Sequence, residues 1–268
     1  MDARSAHQDQ SHRTAAGAAA GSSIDMGEVE KFTAMADAWW DPTGKFRPLH
    51  QINPIRLEYV VADACAHFGR DRDAALPLEG LSILDVGCGG GLACEPLARL
   101  GAHVTGVDAA VANIPVARIH AEKSGLDIEY INATVEDLGA QRRRFDLVLA
   151  LEVIEHVNDP PAFVAALSHV MVPDGLMVLS TFNKTLKSFA LGIIAAEYVL
   201  GWLPRGTHEW QRFVSPQEME TWVEEQAGLF MTKNRGMSYN PLTDRWTLSR
   251  DLSCNYLATF KGQERAER

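Results

Sequence analysis

Nine residues, Ile83-Leu84-Asp85-Val86-Gly87-Cys88-Gly89-Gly90-Gly91, constrain this chain more than any other stretch. An apolar run ends in an acid and then breaks into four glycines within five positions. The pattern predicts a short buried strand, a tight turn, and a helix beginning near Leu92. Glycines let the backbone turn sharply and let a ligand lie against main-chain N–H groups. An ordinary strand-to-helix turn rarely needs so many, so the stretch points to a nucleotide-like ligand.

Seventeen residues past Gly91, a second apolar run, His103-Val104-Thr105-Gly106-Val107, ends in Asp108. In a βαβ unit an acid at that place faces the ribose hydroxyls of the ligand. NAD and S-adenosylmethionine both carry such a ribose. Glycine spacing separates them in part. The third glycine of a dinucleotide fingerprint, needed for close helix packing, would fall on Leu92. Asp85, just ahead of the first glycine, also suits a cationic ligand better than a pyrophosphate.

The 268 residues suffice for one large α/β domain, and a hydrophobic content of 46% supports a real core. A formal net charge of -10 argues against nucleic acid as a partner. The one basic cluster, Arg142-Arg143-Arg144, reads as a solvated loop. Cys65, Cys88, Cys94 and Cys254 have neither zinc-finger spacing nor a disulfide pattern, which fits a reducing cytoplasm. Residues 1–24 are rich in Ala, Ser, Gly, Gln and His and read as a disordered tail. Their early acidic residues weigh against a presequence, and no apolar core of signal-peptide length follows.

Residues 25–268 read as a single domain with an N-terminal helical cap over 25–80. In the cap, Val29, Phe32, Met35, Ala36 and Trp39 fall at helical spacing, and Pro42 breaks the run after Trp39-Trp40-Asp41. Asn53-Pro54 reads as the N-cap and first position of a helix running to His67. Arg56 would then sit on the first turn, against the helix dipole, unless a carboxylate lies near. The methionine carboxylate of the cofactor is one candidate. Beyond the glycine loop, helices over Leu92–Leu100, Ala112–Ser124 and Pro161–Met171 alternate with strands ending at Asp108, Ala133, Val153 and Phe182. Such alternation predicts a Rossmann-like, mostly parallel sheet with helices on both faces. Ligands bind at the carboxyl ends of its strands, so Thr134 and Val135 would border the adenine. A helix beginning at Ser215-Pro216 and two strands, near Met231–Tyr239 and Ser253–Phe260, would add an antiparallel C-terminal edge.

The alternation is interrupted by an apolar helical insert over 183–213. Leu186 to Leu200 is apolar on nearly every side but too short to span a bilayer. It reads as an ordinary core helix, a lid over an apolar substrate, or a segment resting in a membrane interface. Trp202, Trp210 and Phe213, with Lys184, Lys187 and Arg205, tilt the reading toward a membrane surface.

After the fourth strand comes Leu151-Glu152-Val153-Ile154-Glu155-His156. If a helical turn begins there, Glu152, Glu155 and His156 face one way. They could hold a divalent cation that lowers the pKa of a bound hydroxyl. Without metal, His156 is a credible general base, since imidazoles titrate near neutral pH. In the structural alternative, Glu155 and His156 only cap and brace the fold. An Asn-Pro-Pro-Tyr-like tetrad, suited to methylating amines, is absent, and an acid/His cluster suits an oxygen nucleophile better.

From Leu81 to Phe182 the chain resembles the class I S-adenosylmethionine-dependent methyltransferases. Over about residues 28–260 it is similar, more narrowly, to the bacterial ubiquinone biosynthesis O-methyltransferase family. That narrower resemblance is carried by Phe32, Trp39-Trp40-Asp41, Pro48-Leu49-His50, Ile52-Asn53-Pro54-Ile55-Arg56, Ala196-Glu197-Tyr198, Pro204-Arg205-Gly206-Thr207-His208 and Tyr239-Asn240-Pro241. The resemblance implies that Arg56, Gly87, Asp108 and Leu151 bind the cofactor. It implies methylation of polyprenylated catechol-type phenols at two steps of ubiquinone synthesis. It further implies magnesium held by Glu152, Glu155 and His156, with Glu155 and His156 catalytic. Contact with anionic membrane at the inner face of the cell membrane, and with a ubiquinone-synthesis complex, would follow. Three rivals remain: methylation of another small phenol, an NAD-dependent oxidoreductase, and a non-catalytic membrane-bound scaffold.

Overall fold

The computed structural model describes residues 23–189, 210–240 and 242–262. Five strands run parallel: β1 (Ser82–Val86), β2 (His103–Asp108), β3 (Glu129–Asn132), β4 (Phe145–Leu151) and β5 (Met171–Phe182). Three more, β6 (Phe230–Asn240), β7 (Arg245–Ser249) and β8 (Asn255–Lys261), pair antiparallel. All eight form one sheet in the order β3-β2-β1-β4-β5-β8-β6-β7. The expected parallel sheet with an antiparallel C-terminal edge is therefore observed.

Helices cover both faces. On one side lie α2 (Arg47–His67), α3 (Cys94–Arg99) and α4 (Asn113–Lys123). Their Tyr59, Val60, Ala64, Leu97, Ile114 and Ala117 pack on Ile83, Leu147, Leu149 and Val178 of the strands. On the other side lie α5 (Val135–Ala140), α6 (Pro160–His169) and, after the one-turn α7 (Leu186–Ser188), α8 (Pro216–Ala227). Leu138, Phe163, Leu167, Met219 and Val223 there meet Leu84, Val86, Val148, Ala150 and Leu179. Strands buried on both faces must be apolar at consecutive positions, which is why Ile83-Leu84 and Leu147-Val148-Leu149-Ala150 carry no alternation.

The N-terminal cap departs from the sequence reading. In place of one helix through Trp39 there are α1 (Met26–Thr33) and a 3-10 turn at Ala36–Ala38. The Asp25 side chain caps α1, accepting from the N–H groups of Gly27 at 2.9 Å and Glu28 at 3.4 Å. The following helix α2 starts at Arg47, not Asn53, and holds Pro54 in its interior. Pro48 in its first turn opens it, and burial of Ile52, Tyr59, Val60 and Ala64 outweighs the backbone bond that Pro54 removes. Asn53 does not cap the helix; its side-chain amide donates to the Leu92 carbonyl at 2.8 Å. Arg56 is thus mid-helix, where the end-dipole argument does not apply.

Two further elements were not expected. Thr134 and Asp137 form a capping box that starts α5. The strand β7 has few apolar residues, and it forms because β6 offers an open edge from Gly236 to Asn240. The Ser215–Glu218 capping box behaves as read, and Gly228 closes α8 with φ 64°. The tail over residues 1–22 lies outside the described residues, as do Ile193, Trp202, Arg205 and the rest of residues 190–209. No described helix is long and apolar enough to cross a membrane.

Candidate active site

The glycine loop is packed against the N-terminal cap. A Cβ at Gly89, where φ is 54°, would lie 2.3 Å from the Trp39 ring. The Trp39 indole stacks on Phe46 with centroids 3.9 Å apart. Its N–H donates to Asn113 Oδ1 at 2.9 Å. The Trp40 indole stacks on His120 at 3.4 Å and donates to the Gly90 carbonyl at 2.9 Å. Trp39-Trp40 therefore clamps cap to loop, and bare glycines are what allow the rings so close.

Above the loop, at the carboxyl ends of β1, β2 and β4, a cavity opens. Gly87, Asp108, Ala109, Thr134, Val135 and Glu136 line it from the sheet side, and Ser23, Ile24, Glu28 and Phe32 from the cap. Asp108 is buried and accepts from the N–H groups of Gly89 and Ala110, each at 2.8 Å. Burial pushes its carboxyl above the usual range, and those two N–H bonds oppose the shift. Glu136 accepts from the N–H and hydroxyl of Ser23 at 3.1 and 2.8 Å through one oxygen. The other oxygen is buried without a partner. Asp108 for vicinal hydroxyls, the bare edge of Gly87 and the second Glu136 oxygen, without a partner among the described residues, are the groups an adenosine could use. Of the two acids after β3, Asp137 is taken up in the Thr134 capping box, and Glu136 faces the cavity.

Gly87 and Asp108 thus line this cavity. Arg56 lines a neighbouring one. Leu151 ends β4 and packs against the core beneath.

The segment after β4 does not form the expected helical turn. Glu152 takes φ 58°, and only Ile154–His156 form a 3-10 turn. The three side chains consequently find separate partners. Glu152 accepts from the Ser180 hydroxyl at 2.8 Å and pairs with Arg56 at 3.1 Å. Glu155 accepts from the Thr181 hydroxyl at 2.8 Å, and its second oxygen is buried without a partner. Burial first, and the Glu152 charge second, raise the Glu155 carboxyl well above its usual range. His156 is bonded through Nδ1 to Glu28 at 2.8 Å and meets Phe32 edge-on. Among the described residues no group of three or more His, Cys, Asp or Glu could hold a metal. In this arrangement Glu152, Glu155 and His156 do not fit one cation.

Glu28 was missed by sequence reading. It is buried, and its bond to His156, helped by Lys31, holds its carboxyl down to about 2. Its only signal was an acid in the first turn of α1.

A second cavity adjoins the first and shares Phe32, Glu152 and His156 with it. Phe46, Leu49, Ile52, Arg56, Phe182, Trp246 and Asn255 also line it, with Met35, Lys45 and Pro48. His156 stands in the common wall, fixed by a carboxylate. That is the arrangement of a base and its orienting group.

Residues 56–233 match a family model described as a methyltransferase domain. Similar solved structures include magnesium protoporphyrin IX methyltransferase from Synechocystis PCC 6803 with bound SAH, at TM-score 0.60 and 19% identity, covering 87% of this chain and 94% of that one. The plantazolicin methyltransferase, also in complex with SAH, gives TM-score 0.59 at 15% identity, covering 89% and 98%. The fold is that of a class I methyltransferase. Among curated relatives, the ubiquinone biosynthesis O-methyltransferase of Parvibaculum lavamentivorans is 53% identical over 240 residues, 90% of this chain and 94% of its own. That of Chelativorans sp. is 54% identical over 234 residues, 87% and 92% of the two chains. Within its class, the chain belongs to the ubiquinone biosynthesis O-methyltransferase family.

Proposed function

We propose that this chain moves a methyl group from S-adenosylmethionine to a phenolic oxygen of polyprenylated catechol-type rings, 2-polyprenyl-6-hydroxyphenol and 3-demethylubiquinol, in ubiquinone biosynthesis. The observation that carries the mechanism is His156, held by Glu28 in the wall common to both cavities. The cofactor's sulfonium supplies a methyl ready for in-line displacement. His156 takes the phenol proton, and the ionised Glu28 steadies the imidazolium that results. The phenolate oxygen then bonds the methyl carbon as the carbon–sulfur bond breaks, leaving a thioether. Gly87 and Asp108 hold the adenosine end, beside the main chain at Leu151. Arg56, a buried cation whose Nε–H has no partner, is the candidate for the cofactor's carboxylate.

Magnesium is the finer element of the family resemblance. Since the three side chains do not fit one cation here, the proton leaves through His156 and no step runs through a metal. Glu155, its carboxyl pushed well up by burial and bonded to Thr181, braces the wall. Cytoplasmic placement, with contact to the inner membrane face or to a ubiquinone-synthesis complex, follows from the family reading, and the start of the insert offers one apolar side chain for a membrane contact. There Leu186 is 80% exposed, next to Lys187.

Turnover of a prenylated catechol with S-adenosylmethionine, with and without magnesium and chelator, tests the reading. Methyl transfer that survives the chelator is expected. Calorimetric heat with a nicotinamide dinucleotide and none with the sulfonium compound would overturn it. Sedimentation with anionic liposomes checks the membrane contact.

A further inference from the structure

The second cavity holds polar atoms that nothing among the described residues answers. Asn255 is 1% exposed, yet its Oδ1 has no hydrogen-bond partner. Trp246 is half-buried as a residue, but its Nε1 is buried and also unpartnered. Buried polar atoms without partners are rare and costly, and an indole has one donor with nowhere else to go. Both residues line this one cavity. Asn255 opens β8 directly opposite Phe182, the last residue of β5. Trp246 stands in β7, its ring 5.3 Å from that of Tyr239. Apolar walls come from Phe32, Met35, Phe46, Leu49, Ile52 and Phe182, with Lys45 and the Arg56–Glu152 pair as the charged members beside His156. Aromatic and aliphatic walls with a few convergent polar atoms describe a seat for an oxygenated ring.

We infer that this cavity seats the acceptor's aromatic ring, and that Trp246 and Asn255 read the ring oxygen adjacent to the one methylated. The inference rests on the functional reading above and deepens it. With one phenolic hydroxyl at His156, the neighbouring hydroxyl donates to Asn255 Oδ1 and accepts from the Trp246 indole N–H. A ring with a single oxygen leaves both protein atoms buried and unanswered, so the site discriminates against it. Neither residue touches the proton or the methyl group; they set specificity.

The test uses the full chain loaded with S-adenosylhomocysteine and two ligands, a catechol bearing one isoprenoid unit and the matching monophenol. Binding is measured by calorimetry, and kcat/KM is measured with the methyl donor. Wild type is expected to prefer the catechol by about tenfold or more in both readouts. Trp246→Phe and Asn255→Leu should each bring that preference close to unity while S-adenosylhomocysteine affinity stays unchanged. Variants that keep the preference, or that lose both phenols equally, overturn the inference, as does a wild type that binds neither. Wild type that binds the catechol with this preference but transfers no methyl would sink the functional reading and leave the ring seat standing. If Asn255→Leu fails a thermal-melt check, Trp246→Phe carries the test alone.

Discussion

The two cavities share a wall but are built in opposite ways. The first cavity has a local floor. It comes from the tips of β1, β2, β3 and β4 with the loops that follow them, fixed by backbone N–H bonds to Asp108, and the N-terminal cap closes over it. The second cavity is assembled from remote parts, joining Ile52 and Arg56 of α2 to Trp246 and Asn255 near the chain's end. A ligand used by many proteins can be held by one compact motif. A particular acceptor needs a surface that only the complete fold brings together. His156 belongs to both cavities and couples one to the other.

Removing that coupling should have the largest effect. His156→Ala is expected to lower kcat by about 10²- to 10⁴-fold while S-adenosylmethionine affinity, measured by calorimetry, stays within about twofold. Glu28→Gln should lower kcat less, because the imidazole remains but loses its anchor. If cofactor affinity falls instead, the dyad braces the first cavity and the division between the two is wrong.

Next comes Arg56→Met. It leaves Glu152 charged and unpaired in a site where the two side chains are only 6% and 12% exposed. Losing one partner of a buried pair costs about 3–5 kcal/mol, which a denaturant melt will read directly. Cofactor affinity should fall with it if Arg56 reaches across the wall to the carboxylate. A melt that falls while affinity holds confines Arg56 to the second cavity. Asp108→Asn belongs to the first cavity alone. It should weaken cofactor binding by about 1–3 kcal/mol and leave catechol binding to the S-adenosylhomocysteine-saturated protein unchanged.

Legibility followed the same division. The β1 strand, its glycines, β2 ending at Asp108 and the Ser215 capping box all rest on neighbours in sequence, and each was read with small boundary errors. The failures were non-local. Pro54 looked like a helix start because the burial that carries α2 through it lies on strands and helices far along the chain. Glu152, Glu155 and His156 looked like one face because a helical turn was assumed, whereas the backbone at Glu152 is left-handed. Glu28 reaches His156 across 128 positions, and no spacing rule spans that distance. The strand β7, with its Trp246, alternates polar and apolar for only five residues, too short a run to announce itself without β6 beside it.

The smallest effect tests how far the two cavities feel each other. Asp85 lies under the glycine loop, buried, and accepts from the Cys94 thiol at 3.2 Å. Burial first, and then the Asp108 charge opposed by that thiol bond and by Arg56, pushes its carboxyl up to about 7. Between the ordinary carboxylate range, near about 4, and that value, the native chain keeps a proton here that the unfolded chain has lost. Stability contributed by this group is therefore complete below the unfolded pKa and declines as pH rises toward 7. The slope for one proton is at most about 1.4 kcal/mol per pH unit. Asp85→Asn should flatten that segment of a stability–pH profile measured by urea melts at several pH values. Repeating the series in Arg56→Met should shift the Asp85 titration further upward, since its one opposing cation has gone. An unmoved titration would mean that the glycine loop and the second cavity are electrostatically independent, leaving His156 as the link between them.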